Sequence, residues 1–368
     1  MTPIVTFNQF IKTFPNVKSE SKELAKKILP LYSSPKLVEI VGALLTDGHI
    51  DWYTSDSRPR TRKILLYSNN KEECQWFLKN CEDLFRIGGE VQKYKPSTGY
   101  SKLSSYKAVV WNATLARILI LAGVPAGDKT KIRYEVPRWI MMSNNEIKLA
   151  FLKILFNFDG SIPRNKKDRP CSWQMSYSVN KKKNLIENGV KFLGQIKKLL
   201  KEFNIKCGEV GQYKDEGDKY TLIFSFSNQE SIVNFYQKIG FMKQSKQESL
   251  KTAVMEILRK GRIPLNSKKI PYLLEKLRKR FGNDRKAIDE INKYTTKLYS
   301  KRQFEHFRRG ETKIPFEVLF RAIKISKNKK LVNILPKYTK CLWRLWNYRS
   351  LSPLINSSTI SLATKSGN

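Results

Sequence analysis

Histidine is nearly missing from this chain. His49 and His306 are its only two, which excludes nuclease chemistries built on clustered histidines and any multi-His zinc site. Five cysteines (Cys74, Cys81, Cys171, Cys207 and Cys341) form no CxxC pair and no zinc spacing. They read as buried, reduced thiols of a cytosolic-type compartment. No run approaches the roughly 18 apolar residues that a membrane span needs, and no N-terminal stretch has the build of a signal peptide. The expected location is therefore the cytoplasm or an organellar matrix, with no secretion and no membrane partner. Acidic residues are also scarce, 32 Asp+Glu against 70 Lys+Arg in 368 residues, for a formal charge of +38. Such a surface calls for a polyanion, and nucleic acid is the first candidate because neutralising phosphates releases counterions. An anionic membrane fits less well, since the basic residues are spread over the whole length and mixed with aromatics. With so few histidines, a hydrolase of this composition would hold its metal on carboxylates, which points to Mg²⁺.

What the chain does have is a motif written twice. Ile40-Val41-Gly42-Ala43-Leu44-Leu45-Thr46-Asp47-Gly48 and Leu152-Lys153-Ile154-Leu155-Phe156-Asn157-Phe158-Asp159-Gly160 are apolar helical runs ending in Asp-Gly. The aspartates are 112 positions apart, about one small domain. A carboxylate at the negative end of a helix dipole costs on the order of 0.3–1 kcal/mol, and a local rule broken twice in register suggests a site. Ser34-Pro35 starts the first helix as N-cap and N1 proline. Ser143-Asn144-Asn145-Glu146 starts the second as a capping box. Gly48 and Gly160 read as their C-terminal closures.

The flanking segments repeat as well. Tyr67-Ser68-Asn69-Asn70-Lys71 answers Tyr177-Ser178-Val179-Asn180-Lys181, each ending a strand and starting a helix. Gly89-Glu90-Val91 answers Gly208-Glu209-Val210, and Val109-Val110-Trp111-Asn112 answers Leu222-Ile223-Phe224-Ser225. Residues 36–135 and 145–242 are therefore read as two copies of one α+β unit: helix, two strands, helix, two strands, helix. The expected organisation is an N-terminal helical extension (1–33), two repeats (34–142 and 143–243), a basic helical domain (244–349) and a Ser/Thr-rich flexible tail (350–368). Residues 244–349 hold 29 Lys+Arg and 9 Asp+Glu. Within them, residues 300–325 suggest a helix-turn-helix whose recognition helix is 300–308.

The paired helical runs ending in Asp-Gly resemble the LAGLIDADG motif of the dodecapeptide-type homing endonucleases. Val136-Pro137-Arg138-Trp139-Ile140, leading into the second run, looks like the passage between repeats of single-chain members. The resemblance covers about residues 36–242. It implies two pseudosymmetric αββαββα repeats that form a DNA-binding saddle, with the motif helices side by side at the interface and a monomeric protein. It further implies that Asp47 and Asp159, beside Gly48 and Gly160, bind divalent metal (Mg²⁺, or Mn²⁺) at the scissile phosphates. A basic residue polarising the water is expected where each strand meets its helix, at Lys71 and Lys181. The first motif keeps the small Gly42 and Ala43, whereas Ile154 and Phe158 stand in the second, so an asymmetric seam, wider near the second motif, is expected. No splicing-domain signature is evident, because the sequence lacks a Thr-x-x-His block and a terminal His-Asn, and a free-standing protein is expected.

One acid per repeat at the pseudo-dyad would serve the two strands of a duplex, with metal clamping the phosphate oxygens. His49, close behind Asp47, reads first as an ordinary strand residue. After each motif come basic and polar residues suited to groove and phosphate contacts: Arg58, Arg60, Arg62 and Lys63, then Arg164, Lys166, Lys167, Arg169 and Gln174. Arg can read guanine and Gln adenine, but phosphate contacts should outnumber base contacts. Lys301, Arg302, Gln303, Arg308 and Arg309 are the matching candidates on the recognition helix. The leading function is site-specific cleavage of double-stranded DNA by a mobile element. A non-catalytic DNA-binding regulator and an intron RNA maturase on the same fold are the alternatives. Truncation at about residue 243 is expected to weaken binding and flatten its salt dependence while sparing chemistry.

Overall fold

The computed structural model describes residues 2–52, 62–94, 105–163, 173–215, 217–263, 269–295, 297–327, 339–340 and 342–344. Two helices, α1 (Phe7–Thr13) and α2 (Ser19–Ile28), form the N-terminal extension, the first started by a Thr6–Gln9 capping box. Its buried Phe10 and Ala25 give it a small core.

The first repeat runs α3 (Pro35–Leu45), β1 (Gly48–Trp52), β2 (Arg62–Ser68), α4 (Lys71–Phe85), β3 (Glu90–Tyr94), β4 (Ser105–Val110) and α5 (Ala113–Leu121). A short α6 (Arg138–Met141) leads to the second repeat. This runs α7 (Asn145–Phe158), β5 (Gly160–Ser161), β6 (Met175–Lys182), α8 (Ile186–Glu202), β7 (Gly211–Lys214), β8 (Lys219–Phe226) and α9 (Gln229–Lys238). The two sheets are antiparallel and identically ordered, β1-β2-β4-β3 and β5-β6-β8-β7. The αββαββα plan read from the sequence is thus the plan of the fold.

Pairing corrects several local equivalences. Gly48 faces Leu66 whereas Gly160 faces Tyr177, so Leu66, not Tyr67, matches Tyr177. A slip of one residue turns a strand side chain to the other face, and Leu66 and Tyr177 are indeed both fully buried. The return strands are shifted by three: Leu66 pairs with Ala108 and Tyr177 with Phe224, which brings Asn112 level with Asn228. Each of these caps its repeat's last helix, accepting from Leu115 N at 2.8 Å and Ser231 N at 2.8 Å. The N-cap of α7 is Asn144, accepting from Ile147 N at 3.1 Å, because the Ser143 hydroxyl is already donated to Trp139 O. The expected Ser143–Glu146 box therefore does not form.

The glycines after the aspartates are not left-handed caps. They begin β1 and β5, and a Cβ on Gly48 would stand 2.6 Å from Leu44 Cα, one on Gly160 2.5 Å from Phe156 O. Glycine is required there because each strand doubles back against the last turn of its own helix.

Helices α3 and α7 pack side by side. α3 is buried on nearly all sides, from Leu37 and Val38 through Leu45. At the crossing, a Cβ on Gly42 would stand 3.0 Å from Ile154 Cγ2 and 3.5 Å from Phe151 Cδ2. The seam is asymmetric as expected, but it closes large against small.

The described residues from 251 onward belong to a second compact unit, and the repeats with the first part of α10 (Gln244–Lys260) to the first, which puts the division inside α10. The second unit contains β9 (Arg262–Ile263), α11 (Lys269–Phe281), α12 (Asp284–Asn292), α13 (Lys301–Arg309), β10 (Ile314–Pro315) and α14 (Phe316–Ser326). β10 pairs with β9, so α13 and α14 are joined through a strand of a small sheet. This differs from the simple turn expected of a helix-turn-helix. The tail at 350–368 lies outside the described residues.

Replacing Gly42 by Leu should cost about 1–3 kcal/mol through overpacking, and adding Ile154→Ala in the same chain should recover part of it. Urea unfolding of the two single variants and the double variant measures this coupling; strictly additive losses would place the two residues out of contact.

Candidate active site

The C-terminal ends of α3 and α7 carry the two acids. Asp47 is solvent-accessible and lines a pocket of about 420 Å³ with Tyr67, Ser68, Asn69 and Ser105. Asp159 is half-buried, with the hydroxyl of the fully buried Tyr177 3.4 Å from its Oδ2. The surrounding protein raises the Asp47 carboxyl above its ordinary range, and the charge of Glu73 adds to this. Burial, then the neighbouring Asp47 charge, pushes Asp159 up to about 7. Lys129 and Lys246 oppose both shifts.

Those lysines are the residues that sequence reasoning missed. Lys129 Nζ donates to the carbonyls of Leu44 at 3.3 Å and Gly48 at 2.8 Å, and to that of Thr46. Lys246 Nζ donates to the carbonyls of Phe156 at 3.4 Å, Asn157 at 2.6 Å, Phe158 at 3.2 Å and Gly160 at 2.7 Å. Each ammonium thus closes the negative end of one motif helix. Burial lowers the pKa of both, while Asp47 and Asp159 work against that fall. The two lysines are related by the repeat: each follows by six positions the positive-φ glycine that ends its repeat's last helix, Gly123 and Gly240. That spacing was a readable signal.

Two further residues lie at the seam. Glu73 on α4 accepts from Ser68 Oγ and, at 3.0 Å, from Asn157 Nδ2 on α7. Asn157, the polar member of the buried face of α7, also accepts from Met242 N at 3.1 Å and Lys243 N at 2.7 Å, which fixes the backbone just before Lys246.

The expected lysines stand elsewhere. Lys71 is an exposed first residue of α4. Lys181 is not at a helix start, because β6 continues through Lys182. It is fully buried, and its ammonium is held by the carbonyls of Lys129 at 2.9 Å and Ile132 at 2.7 Å. His49 is a half-buried residue of β1. Among the described residues no group of three or more His, Cys, Asp or Glu side chains is arranged to hold a metal.

Of the groove candidates, Arg58, Arg60, Arg164, Lys166, Lys167 and Arg169 lie outside the described residues. Lys63 shares a sheet face with Leu65 and Tyr67, its ammonium 3.8 Å from the centre of the exposed Trp111 ring. Arg62 has the parity of the buried Ile64, and its guanidinium lies 4.4 Å from the centre of the Trp52 ring. Gln174 is half-buried just before β6. On α13, Lys301, Arg302, Gln303 and Arg309 are exposed, Gln303 serving the capping box with Ser300. Arg308 folds back onto Glu275 at 2.8 Å and Asp284 at 3.0 Å.

Residues 146–240 match the family model described as LAGLIDADG-like domain. Among curated proteins the chain is similar to the tRNA-splicing ligase RtcB of Pyrococcus abyssi, 31% identical over 234 residues, covering 62% of this chain and 24% of that one. It is also similar to the DNA-directed RNA polymerase subunit Rpo1N of Methanocaldococcus jannaschii, 25% identical over 280 residues, covering 72% and 20%. The chain thus spans about a quarter or less of the length of these relatives. Among solved structures, the homing endonuclease I-WcaI bound to its DNA recognition sequence is 15% identical, covers 67% of this chain and 98% of that one, and has a TM-score of 0.41.

Because the folded Asp159 carboxyl titrates near 7 and an unfolded one near 3.8, the native state holds a proton over that interval that the unfolded chain releases. Stability therefore falls as pH rises between the two values, and the whole cost stands above the higher. Asp159→Asn should raise Tm more at about pH 8 than at about pH 5; differential scanning calorimetry at both checks it, and an equal gain would contradict it. Residues 146–240 are thus a LAGLIDADG-like domain, and the first repeat has the same order of helices and strands.

Proposed function

We propose that this chain is a site-specific endonuclease of double-stranded DNA that uses a divalent metal. The observation that carries the reading is the fourfold arrangement at the motif helix ends: two carboxylates, each within electrostatic reach of the same two half-buried ammonium groups. A second line of support is the pattern of relatives, which are named for unrelated chemistries yet match over a minor part of their length. A segment shared in that way is what the spread of a mobile element produces.

The donor set fits Mg²⁺ or Mn²⁺. It offers hard carboxylate oxygens and no soft ligand among the described residues. A divalent cation bound there would supply charge neutralisation at a scissile phosphate and acidity to an attacking water. Asp47 and Asp159 would hold it. Lys129 and Lys246, fixed by backbone carbonyls, present positive charge beside the acids, where a phosphate gathers negative charge in the transition state. The sheet faces carrying Lys63 and Trp111 offer the duplex an ammonium beside an aromatic plane. Retention of both acids favours this reading over a non-catalytic regulator.

On a supercoiled plasmid carrying the joined sequences that flank the reading frame, with Mg²⁺, the wild type should make double-strand cuts. Asp47→Asn with Asp159→Asn should cut at background rate, and Lys129→Met should lose about a hundredfold or more in kcat. Full cleavage by the double aspartate variant would reject the proposal.

The basic second unit is proposed to add affinity. Truncation at 243 would also delete Lys246, so a chain ending at Lys260 is the proper test. Its DNA affinity should fall and its dependence on salt flatten, titrated at several fixed salt concentrations; an unchanged salt slope would assign the phosphate contacts to the repeats alone.

A further inference from the structure

The segment that carries Lys129 connects the two repeats and is held from both. On the first-repeat side, Gly127 N donates to Ile50 O at 3.0 Å, beside an Ile50–Ala126 bridge. On the second-repeat side the holding is denser. Lys182 N donates to Thr130 O at 3.0 Å. Asn188 of α8 pairs both ways with Tyr134, at 3.2 Å from its N–H and 3.1 Å to its carbonyl. Gln195 accepts from Val136 N at 2.8 Å. At the centre lies Lys181, whose ammonium donates to the carbonyls of Lys129 and Ile132 and sits 3.8 Å from the centre of the Tyr134 ring.

A buried ammonium is held in place by its acceptors, and those acceptors are in turn held by it. Here one acceptor is the carbonyl of the very residue whose side chain reaches the end of α3. Lys246 is placed differently, by Asn157 inside its own repeat. The two arms of the site therefore have separate supports.

We propose that Lys181 is a positioning residue. From the second repeat it fixes the main chain of Lys129 and so sets where the Lys129 ammonium meets the two carboxylates. The first lysine is correctly placed only while the second repeat is docked, whereas Lys246 does not depend on that clamp. The inference rests on the endonuclease reading for its catalytic consequence but not for the clamp itself.

Lys181→Met keeps the aliphatic stem and removes the donor. On the same supercoiled plasmid with Mg²⁺, nicked circles should accumulate, with linear product slowed about tenfold to a hundredfold and KM for the plasmid unchanged. Lys129→Met with Lys181→Met should be no slower than Lys129→Met alone, and Lys181→Arg should restore cutting of both strands. In metal-free protein, hydrogen exchange at residues 129–136 should accelerate while α3 and α7 keep their protection. Should Lys181→Met fail to fold, Asn188→Ala loosens the same segment from a less buried position, and the same nicking and exchange are expected. Nicking and linearisation slowed equally, or exchange at 129–136 unchanged, would overturn the proposal. If the wild type cuts nothing, the endonuclease reading fails, and the exchange measurement still decides whether the clamp exists.

Discussion

Two carboxylates stand where helix dipoles are least hospitable to them, and two ammonium groups make that placement tenable. Lys129 and Lys246 each gather three or more carbonyls where a motif helix ends and its strand begins. This answers the orphan acceptors and the local negative potential with one charge. Everything else near the seam serves the same constraint. Glycine follows each aspartate because the chain must turn back against the helix it has just left. The greasy flanks of α3 and α7 hold the helix ends together, and Tyr177 and Glu73 complete the polar surroundings.

Much of this could be read from the residues. The Asp-Gly pairs, the Ser34-Pro35 start and the Gly89/Gly208 correspondence located the elements, because helix ends and close backbone approaches leave marks in local composition. Register was less legible. Strand alternation does not say which of two neighbouring residues faces inward, and so Tyr67 was matched to Tyr177 when Leu66 holds the place. The lysines at the helix ends are hard to read for a related reason. Long side chains act far from their own position, so the two lysines at the helix ends come from the segments following α5 and α9, while the junction of β2 with α4 contributes Ser68, Asn69 and Glu73. Lys181 looked like a helix-start residue because nothing in its neighbours announces that β6 runs on.

The repeats share topology and differ in how they are buttressed. In the second, an asparagine on the buried face of α7 secures the backbone leading to Lys246. In the first, the equivalent helix is apolar at that point, Leu45 standing two places before Asp47 as Asn157 does before Asp159, and the support comes across from the other repeat. Pseudosymmetry in the backbone thus coexists with unequal polar wiring. Cys74 and Cys81 take no part: burial pushes the Cys74 thiol up to about 11 and that of Cys81 up to about 12, far from a reactive thiolate at neutral pH.

The contact of Gly42 with Ile154 also bears on how such a molecule could arise or be taken apart. Two copies of the first helix facing each other would leave a hollow where the isoleucine side chain belongs, and two copies of the second would collide. The large-against-small fit at this crossing therefore favours the unlike pair. A gene split between the repeats would yield fragments whose complementary fit at this crossing is to each other.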